Sequence, residues 1–154
     1  MKARLNPMQA APDTMKALFA LETQVQTSGL EHSLIELVKT RASQTNGCAY
    51  CINMHTSEAR KHGETEARLF LLDAWRESPV YSDRERAALA WTDAVTLISK
   101  THAPDDVYAE LRNHFSEAET VNLTMLIATI NAWNRIAISF RAVPEVQTIK
   151  ANAA

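Results

Sequence analysis

The spacing of apolar residues predicts helices along most of the chain, and we find no convincing strand pattern. A first helix is expected over about residues 12–28 and a second over about 31–46. Gly29 and Gly47 follow these segments, and glycine is common just after the end of a helix. The second segment also has an apolar stripe that includes Leu34 and Val38 at helical spacing.

Local start signals place the later helices. Ser82 with Glu85, and Ser116 with Glu119, have the spacing of a capping box, which marks the first turn of a helix. The further predicted helices span about residues 48–63, 65–76, 82–98, 104–115 and 117–140. We therefore predict a single-domain, all-α bundle of six or seven helices, with no repeat or linker to divide it.

The last predicted helix is apolar nearly all round, which is typical of a helix at the centre of a bundle or in a subunit interface. Asn131 and Asn134 interrupt it. Because buried polar groups need partners, we expect these amides to form hydrogen bonds between helices or subunits. Trp75, Trp91 and Trp133 are expected in the core or an interface.

Charge and length exclude several classes of function. The 154 residues carry a net charge of −2 with no basic block, so nucleic-acid binding is not expected. The longest near-apolar stretch, residues 123–130, is too short to span a bilayer. Residues 1–12 lack the apolar segment of a signal peptide, so we expect a cytoplasmic location.

The candidate chemistry lies in one short segment. The chain has two cysteines, Cys48 and Cys51, and such a pair in a reducing compartment is typically redox-active or metal-binding. On a helix, Cys48, Cys51 and His55 share one face. A helix start favours a thiolate, and an imidazole one turn later can shuttle its proton. Tyr50 is expected on the opposite side, as a packing residue.

Three interpretations of this segment stay open from the residues alone. The first is a catalytic redox pair. The second is a metal site of Cys48, Cys51 and His55 with Glu36 as fourth ligand, although three ligands on one helix would have to reach one ion over more than two turns. The third is a non-catalytic oligomeric protein that binds a partner or senses redox state through a disulfide. A thioredoxin-like fold would need strands, which the pattern lacks.

The helical pattern predicts an exposed position for Glu36. This residue lies opposite the apolar stripe of its own helix, beside His32, Lys39, Thr40 and Ser43. From the pattern alone we expect its side chain to face solvent.

Glu36, eleven intervening residues and then Cys48-x-x-Cys51-x-x-x-His55 resemble the alkylhydroperoxidase AhpD-like family of the carboxymuconolactone decarboxylase superfamily. The likeness covers about residues 30–63, and residues 131–137 support it more weakly. The resemblance implies one AhpD-like domain over residues 1–154, with a core over about 12–143, that assembles as a trimer or hexamer.

The resemblance also implies a reaction that needs no cofactor and no metal. Cys51 would attack a hydroperoxide, Cys48 would resolve the sulfenic acid as a disulfide, and a thiol or disulfide reductant protein would restore the dithiol. Glu36 and His55 would relay protons around the sulfurs. Tyr50 stands where the best-characterised members have histidine, and its hydroxyl does not titrate near neutral pH. The decarboxylase branch generally lacks the cysteine pair, so we do not expect decarboxylation.

Overall fold

The computed structural model describes residues 2–146, which contain nine α-helices, one 3-10 turn and no strand. The elements are α1 (Pro7–Ala10), α2 (Pro12–Gln26), α3 (His32–Asn46), α4 (Ala49–Lys61), α5 (Glu66–Leu71), the 3-10 turn (Leu72–Ala74), α6 (Asp83–Thr96), α7 (Ile98–Thr101), α8 (Asp105–His114) and α9 (Glu117–Phe140). The predicted all-α class is confirmed.

The helix count exceeds the predicted six or seven for local reasons. The short helix α1 begins where the Asn6 side chain accepts a hydrogen bond from the Met8 N–H, a start signal that was not predicted. The helix predicted over residues 82–98 ends at Thr96, and α7 follows as a separate turn. The helix predicted over 65–76 tightens into the 3-10 turn after Leu71.

A tight turn joins α3 to α4 and sets the geometry of the candidate site. Gly47 ends α3 in the left-handed conformation with φ +69°, which glycine adopts without strain. The Cys48 N–H donates to the Ser43 carbonyl at 2.9 Å, which closes the turn. Because the turn is so short, α4 folds back antiparallel against α3.

Helix α3 lies at the centre of the fold and packs against α4, α6 and α9. Every residue from 34 to 40 is buried, including Glu36 and Lys39. The expectation that Glu36 faces solvent is therefore wrong. The polar side of α3 is covered by neighbouring helices, and a single helix pattern does not show which neighbours cover it.

Helix α9 has the predicted bounds but only one buried side. Leu123, Leu126 and Ile127 belong to the main hydrophobic core, whereas Val121 and Ile138 are exposed in this single chain. The subunit-interface alternative for this helix stays a prediction. Within residues 2–146, no helix combines the length and apolar character needed to cross a bilayer.

Candidate active site

The two cysteines lie at the start of α4 and form a disulfide. Cys48 is the N-cap residue, and its sulfur accepts a hydrogen bond from the Cys51 N–H at 3.4 Å. Both side chains are buried. The pair therefore occupies the helix start that the sequence predicts, where free N–H groups and the helix dipole stabilise a thiolate in the reduced form.

His55 lies one turn after Cys51, and its ring contacts α3 through a single hydrogen bond. The Nδ1 atom of His55 is 2.9 Å from the Oε2 atom of Glu36, and both side chains are buried. This contact joins the two helices of the hairpin. The structure thus brings together the four residues predicted from the sequence: Cys48, Cys51, His55 and Glu36.

The contact with Glu36 fixes how the imidazole can act. A carboxylate only accepts hydrogen bonds, so the neutral ring places its proton on Nδ1 and leaves a lone pair on Nε2. Among the described residues, His55 Nε2 is buried without a hydrogen-bond partner. A buried acceptor without a partner is costly, and here it belongs to a ring that can act as a general base.

Cys51, His55 and Glu36 all line one cavity of about 670 Å³, whereas Cys48 is not among its lining residues. The wall is mainly apolar and includes Phe19, Met54, Ile130 and Trp133. A ligand in this cavity would meet Cys51 rather than Cys48. The lining has the composition typical of a small-molecule site, with few polar groups in an apolar wall.

Tyr50 also lines this cavity and is 39% exposed, so the expectation that it points away from the cysteine face is wrong. Adjacent residues on a helix are about 100° apart, which is not enough to put Tyr50 behind Cys51. Tyr50 is a rim residue of the cavity rather than part of the core.

A buried ion pair in the same cavity wall was not predicted from the sequence. Lys39 on α3 is fully buried and donates a hydrogen bond to Glu22 on α2. Burial alone would raise the pKa of Glu22, but the hydrogen bond and positive charge of Lys39 outweigh it and lower that pKa below its ordinary value. The run of polar residues on α3 was visible in the sequence, but nothing there identified Glu22 as the partner.

The metal-site interpretation can be compared with the positions of the candidate ligands. In the part of the chain that the structure describes, no group of three or more His, Cys, Asp or Glu side chains is placed to hold a metal ion. A metal site of Cys48, Cys51, His55 and Glu36 would need both sulfurs as ligands, but in this structure the two sulfurs are bonded to each other.

Comparison with known proteins places the chain among relatives of the same fold. A crystal structure from Agrobacterium tumefaciens, described as a protein of unknown function and a candidate antioxidant defence protein AhpD, is 52% identical with a TM-score of 0.93. The match covers 95% of this chain and 100% of that one. The debrominase Bmp8 shares the fold at 23% identity and a TM-score of 0.81, over 90% of this chain and 74% of Bmp8.

Sequence comparison gives the family. The uncharacterized protein YdfG of Bacillus subtilis (strain 168) is 44% identical over 139 residues, which are 90% of this chain and 95% of YdfG. The sequence pattern of the carboxymuconolactone decarboxylase family matches residues 12–94. Together with the shared fold, these matches show that the chain belongs to the carboxymuconolactone decarboxylase family, in its AhpD-like group.

Proposed function

We propose that this chain is a thiol-dependent peroxidase that reduces organic hydroperoxides through a Cys48–Cys51 dithiol–disulfide cycle. One observation supports this more than any other: Cys51, His55 and Glu36 line the same cavity, and Cys48 lies within bonding distance of Cys51. A nucleophile, a base held by a carboxylate and a second thiol are the groups that such a cycle needs.

The first half of the cycle oxidises Cys51. His55 Nε2 takes the proton of the Cys51 thiol, and the thiolate attacks the terminal oxygen of the hydroperoxide. The O–O bond breaks, sulfur loses two electrons, and the alkoxide leaves as an alcohol after His55 returns the proton. Glu36 keeps the ring in the required tautomer and stabilises the transient imidazolium through the Nδ1 contact. Cys51 is then a sulfenic acid.

The second half forms the disulfide. The Cys48 thiolate attacks the Cys51 sulfur, the S–O bond breaks, and the hydroxide leaves as water with the proton that Cys48 gave up. The position of Cys48 at the helix start lowers the free energy needed to form that thiolate. An external dithiol then supplies two electrons and two protons and returns both cysteines to the reduced form.

Several parts of the wider proposal stay predictions. They are a thiol or disulfide reductant protein as electron donor, assembly as a trimer or hexamer, and a cytoplasmic location. Tyr50 occupies the cavity rim beside Cys51 and presents a hydroxyl where better-known members have an imidazole, so its contribution would be as a hydrogen-bond donor.

Steady-state peroxide consumption with a dithiol reductant tests the proposal. We expect the wild type to turn over and Cys51→Ser to be inactive. In Cys48→Ser we expect at most one oxidation per chain, after which Cys51 is over-oxidised. A wild-type protein that consumes about one equivalent of hydroperoxide per chain and then stops, although its disulfide can be reduced in a separate step, would instead be the non-catalytic redox sensor that the sequence left open. Peroxide-resistant thiols would exclude both.

A further inference from the structure

The mouth of the active-site cavity is unusually apolar for an exposed surface. Leu5, Met8, Phe19, Tyr50 and Met54 are all large apolar side chains that are more than a third exposed, and all line this cavity. Contiguous exposed apolar surface typically marks a binding site. Since Cys51 lies in the same cavity, the natural occupant is the carbon skeleton of the substrate.

An aromatic pair forms one wall of the cavity. The rings of Phe19 on α2 and Trp133 on α9 have centroids 5.0 Å apart and are tilted by 58°. Trp133 donates its indole N–H to Glu22 Oε2 at 3.0 Å. That hydrogen bond restricts rotation of the indole plane, because a rotated ring would lose the Glu22 carboxylate as its N–H partner.

Glu22 is itself held by two further donors. Lys39 donates to its Oε1 atom from a fully buried position, and Gln26 Nε2 donates to the same atom at 3.0 Å. A buried ion pair rarely improves stability over apolar side chains of the same size. No step of the proposed reaction uses Lys39. The geometry instead supports a role in which Lys39 fixes Glu22, and Glu22 in turn fixes Trp133.

The charge balance of this wall indicates the kind of ligand. Lys39 and Glu22 neutralise each other, and Glu58 forms an ion pair with Lys61. Glu36 is hydrogen-bonded to the neutral His55 ring. No described cation in the lining is left to pair with a ligand carboxylate. An uncharged substrate therefore suits the cavity better than an anionic one.

We propose, as an extension that rests on the proposed peroxidase function, that Trp133 is a specificity-determining residue and that Glu22 and Lys39 are its positioning residues. Together they select a bulky, uncharged hydroperoxide whose aromatic or branched skeleton packs against the indole. Hydrogen peroxide has no skeleton to contact this wall.

The test compares kcat/KM for cumene hydroperoxide and hydrogen peroxide in the full-length protein. In Trp133→Ala we expect the ratio of the two values to fall about tenfold, since aromatic contacts and area burial of this size contribute on that scale. Trp133→Phe should retain part of the preference. The matched control is Phe70→Ala, an exposed aromatic residue outside the cavity lining, which should leave the ratio unchanged.

The positioning role has its own readout. The double variant Glu22→Leu with Lys39→Met removes both charges without leaving one unpaired, and it also removes the acceptor of the Trp133 indole N–H. It should lower the ratio in the same direction as Trp133→Ala. Combining it with Trp133→Ala should add little, because both changes act through the indole. Additive effects, or an unchanged ratio in the double variant, would overturn the positioning role.

Binding of the redox-inert product alcohol, 2-phenyl-2-propanol, separates this inference from the peroxidase proposal. We expect a saturable change in tryptophan fluorescence of the oxidised wild type that Trp133→Phe abolishes.

Such binding without any peroxide turnover would contradict the proposed function and leave the pocket assignment standing. Turnover with no binding and no change of ratio in Trp133→Ala would overturn the inference alone. The inference would also be overturned if sedimentation showed that Trp133→Ala dissociates the oligomer and Phe70→Ala does not. A second copy of the chain would then cover the cavity.

Discussion

Two buried polar clusters flank the central helix α3, and within the described residues they differ in whether a buried side-chain atom is left without any hydrogen-bond partner. The first, which we name the amide cluster, contains Ser43, Asn46, Asn131 and Asn134. The Asn46 side chain donates to both asparagines of α9, at 3.0 and 2.8 Å. Asn134 in turn donates to Ser43 at 3.0 Å. This confirms the prediction that these amides bond between helices.

The second cluster, which we name the relay, contains Glu36 and His55. It has one hydrogen bond between the two side chains, and within the described residues His55 Nε2 has none. The relay borders a cavity, whereas Asn131 and Asn134 do not line it.

In the described part of the chain, the unpaired His55 Nε2 separates a polar group with a chemical role from polar groups that only hold helices together. A buried network whose donors and acceptors are matched stabilises one arrangement of helices. A buried acceptor left unmatched beside a cavity costs stability, and it is retained where it has a reaction to perform. The amide cluster should therefore respond to mutation mainly in stability, and the relay mainly in activity.

The largest expected effect is on the relay. Glu36→Gln removes the charge that stabilises an imidazolium but keeps an oxygen to accept the Nδ1–H bond, so peroxide kcat/KM should fall by about a hundredfold or more. The unfolding free energy should change little. If activity in the same steady-state assay falls by less than about threefold, Glu36 takes no part in the reaction.

The next largest effect is on the amide cluster. Asn134→Ala leaves Asn46 and Ser43 with unmet hydrogen bonds, and we expect the unfolding free energy to fall by about 2 kcal/mol. Urea unfolding followed by circular dichroism measures this. Activity per folded molecule should stay at the wild-type value. An activity loss as large as that of Glu36→Gln would erase the distinction between the two clusters.

A smaller effect calibrates the stability scale. Helix α9 contributes to both the amide cluster and the cavity wall, and Ser116 caps its first turn by accepting from the Glu119 N–H. Ser116→Ala should lower the unfolding free energy by about 1 kcal/mol. Ser116→Asp, which also caps well, should restore most of the loss. If Ser116→Ala costs as much as Asn134→Ala, the amide cluster has no special weight in stability.

The smallest effect is a pH dependence at the same cap. Hydrogen bonds from the Ser116 backbone and from Arg84 lower the pKa of Glu119 from 4.5 to about 2. Because the folded value is depressed, this stabilisation is complete above 4.5 and is lost as the pH falls through about 2. The side chain is 34% exposed, so solvent and salt weaken the effect.

The measurement is the difference in unfolding free energy between the wild type and Glu119→Gln along this pH range. The difference should shrink steadily toward low pH. A difference that grows on acidification would have the wrong sign for a depressed pKa.

What the sequence could predict was local. The bounds of α9 and both capping boxes depend on short-range signals in the chain, and they were predicted correctly. The grouping of Cys48, Cys51 and His55 depends only on helical spacing. The burial of Glu36 and the pairing of Lys39 with Glu22 depend instead on which helices cover α3, and the pattern of α3 contains no information about its neighbours. That Glu36 acts together with His55 was indicated only by the family resemblance.

The Cys48–Cys51 cycle is tested by a thiol count on the fully reduced protein after one equivalent of cumene hydroperoxide. If Cys51 is oxidised and Cys48 resolves it, both thiols disappear together and the mass of the chain falls by that of two hydrogen atoms. In Cys48→Ser, the mass should instead rise by that of one oxygen, trapped as the sulfenic acid of Cys51. Thiols that survive excess hydroperoxide, or a Cys51→Ser variant that is oxidised as fast as the wild type, would contradict this cycle.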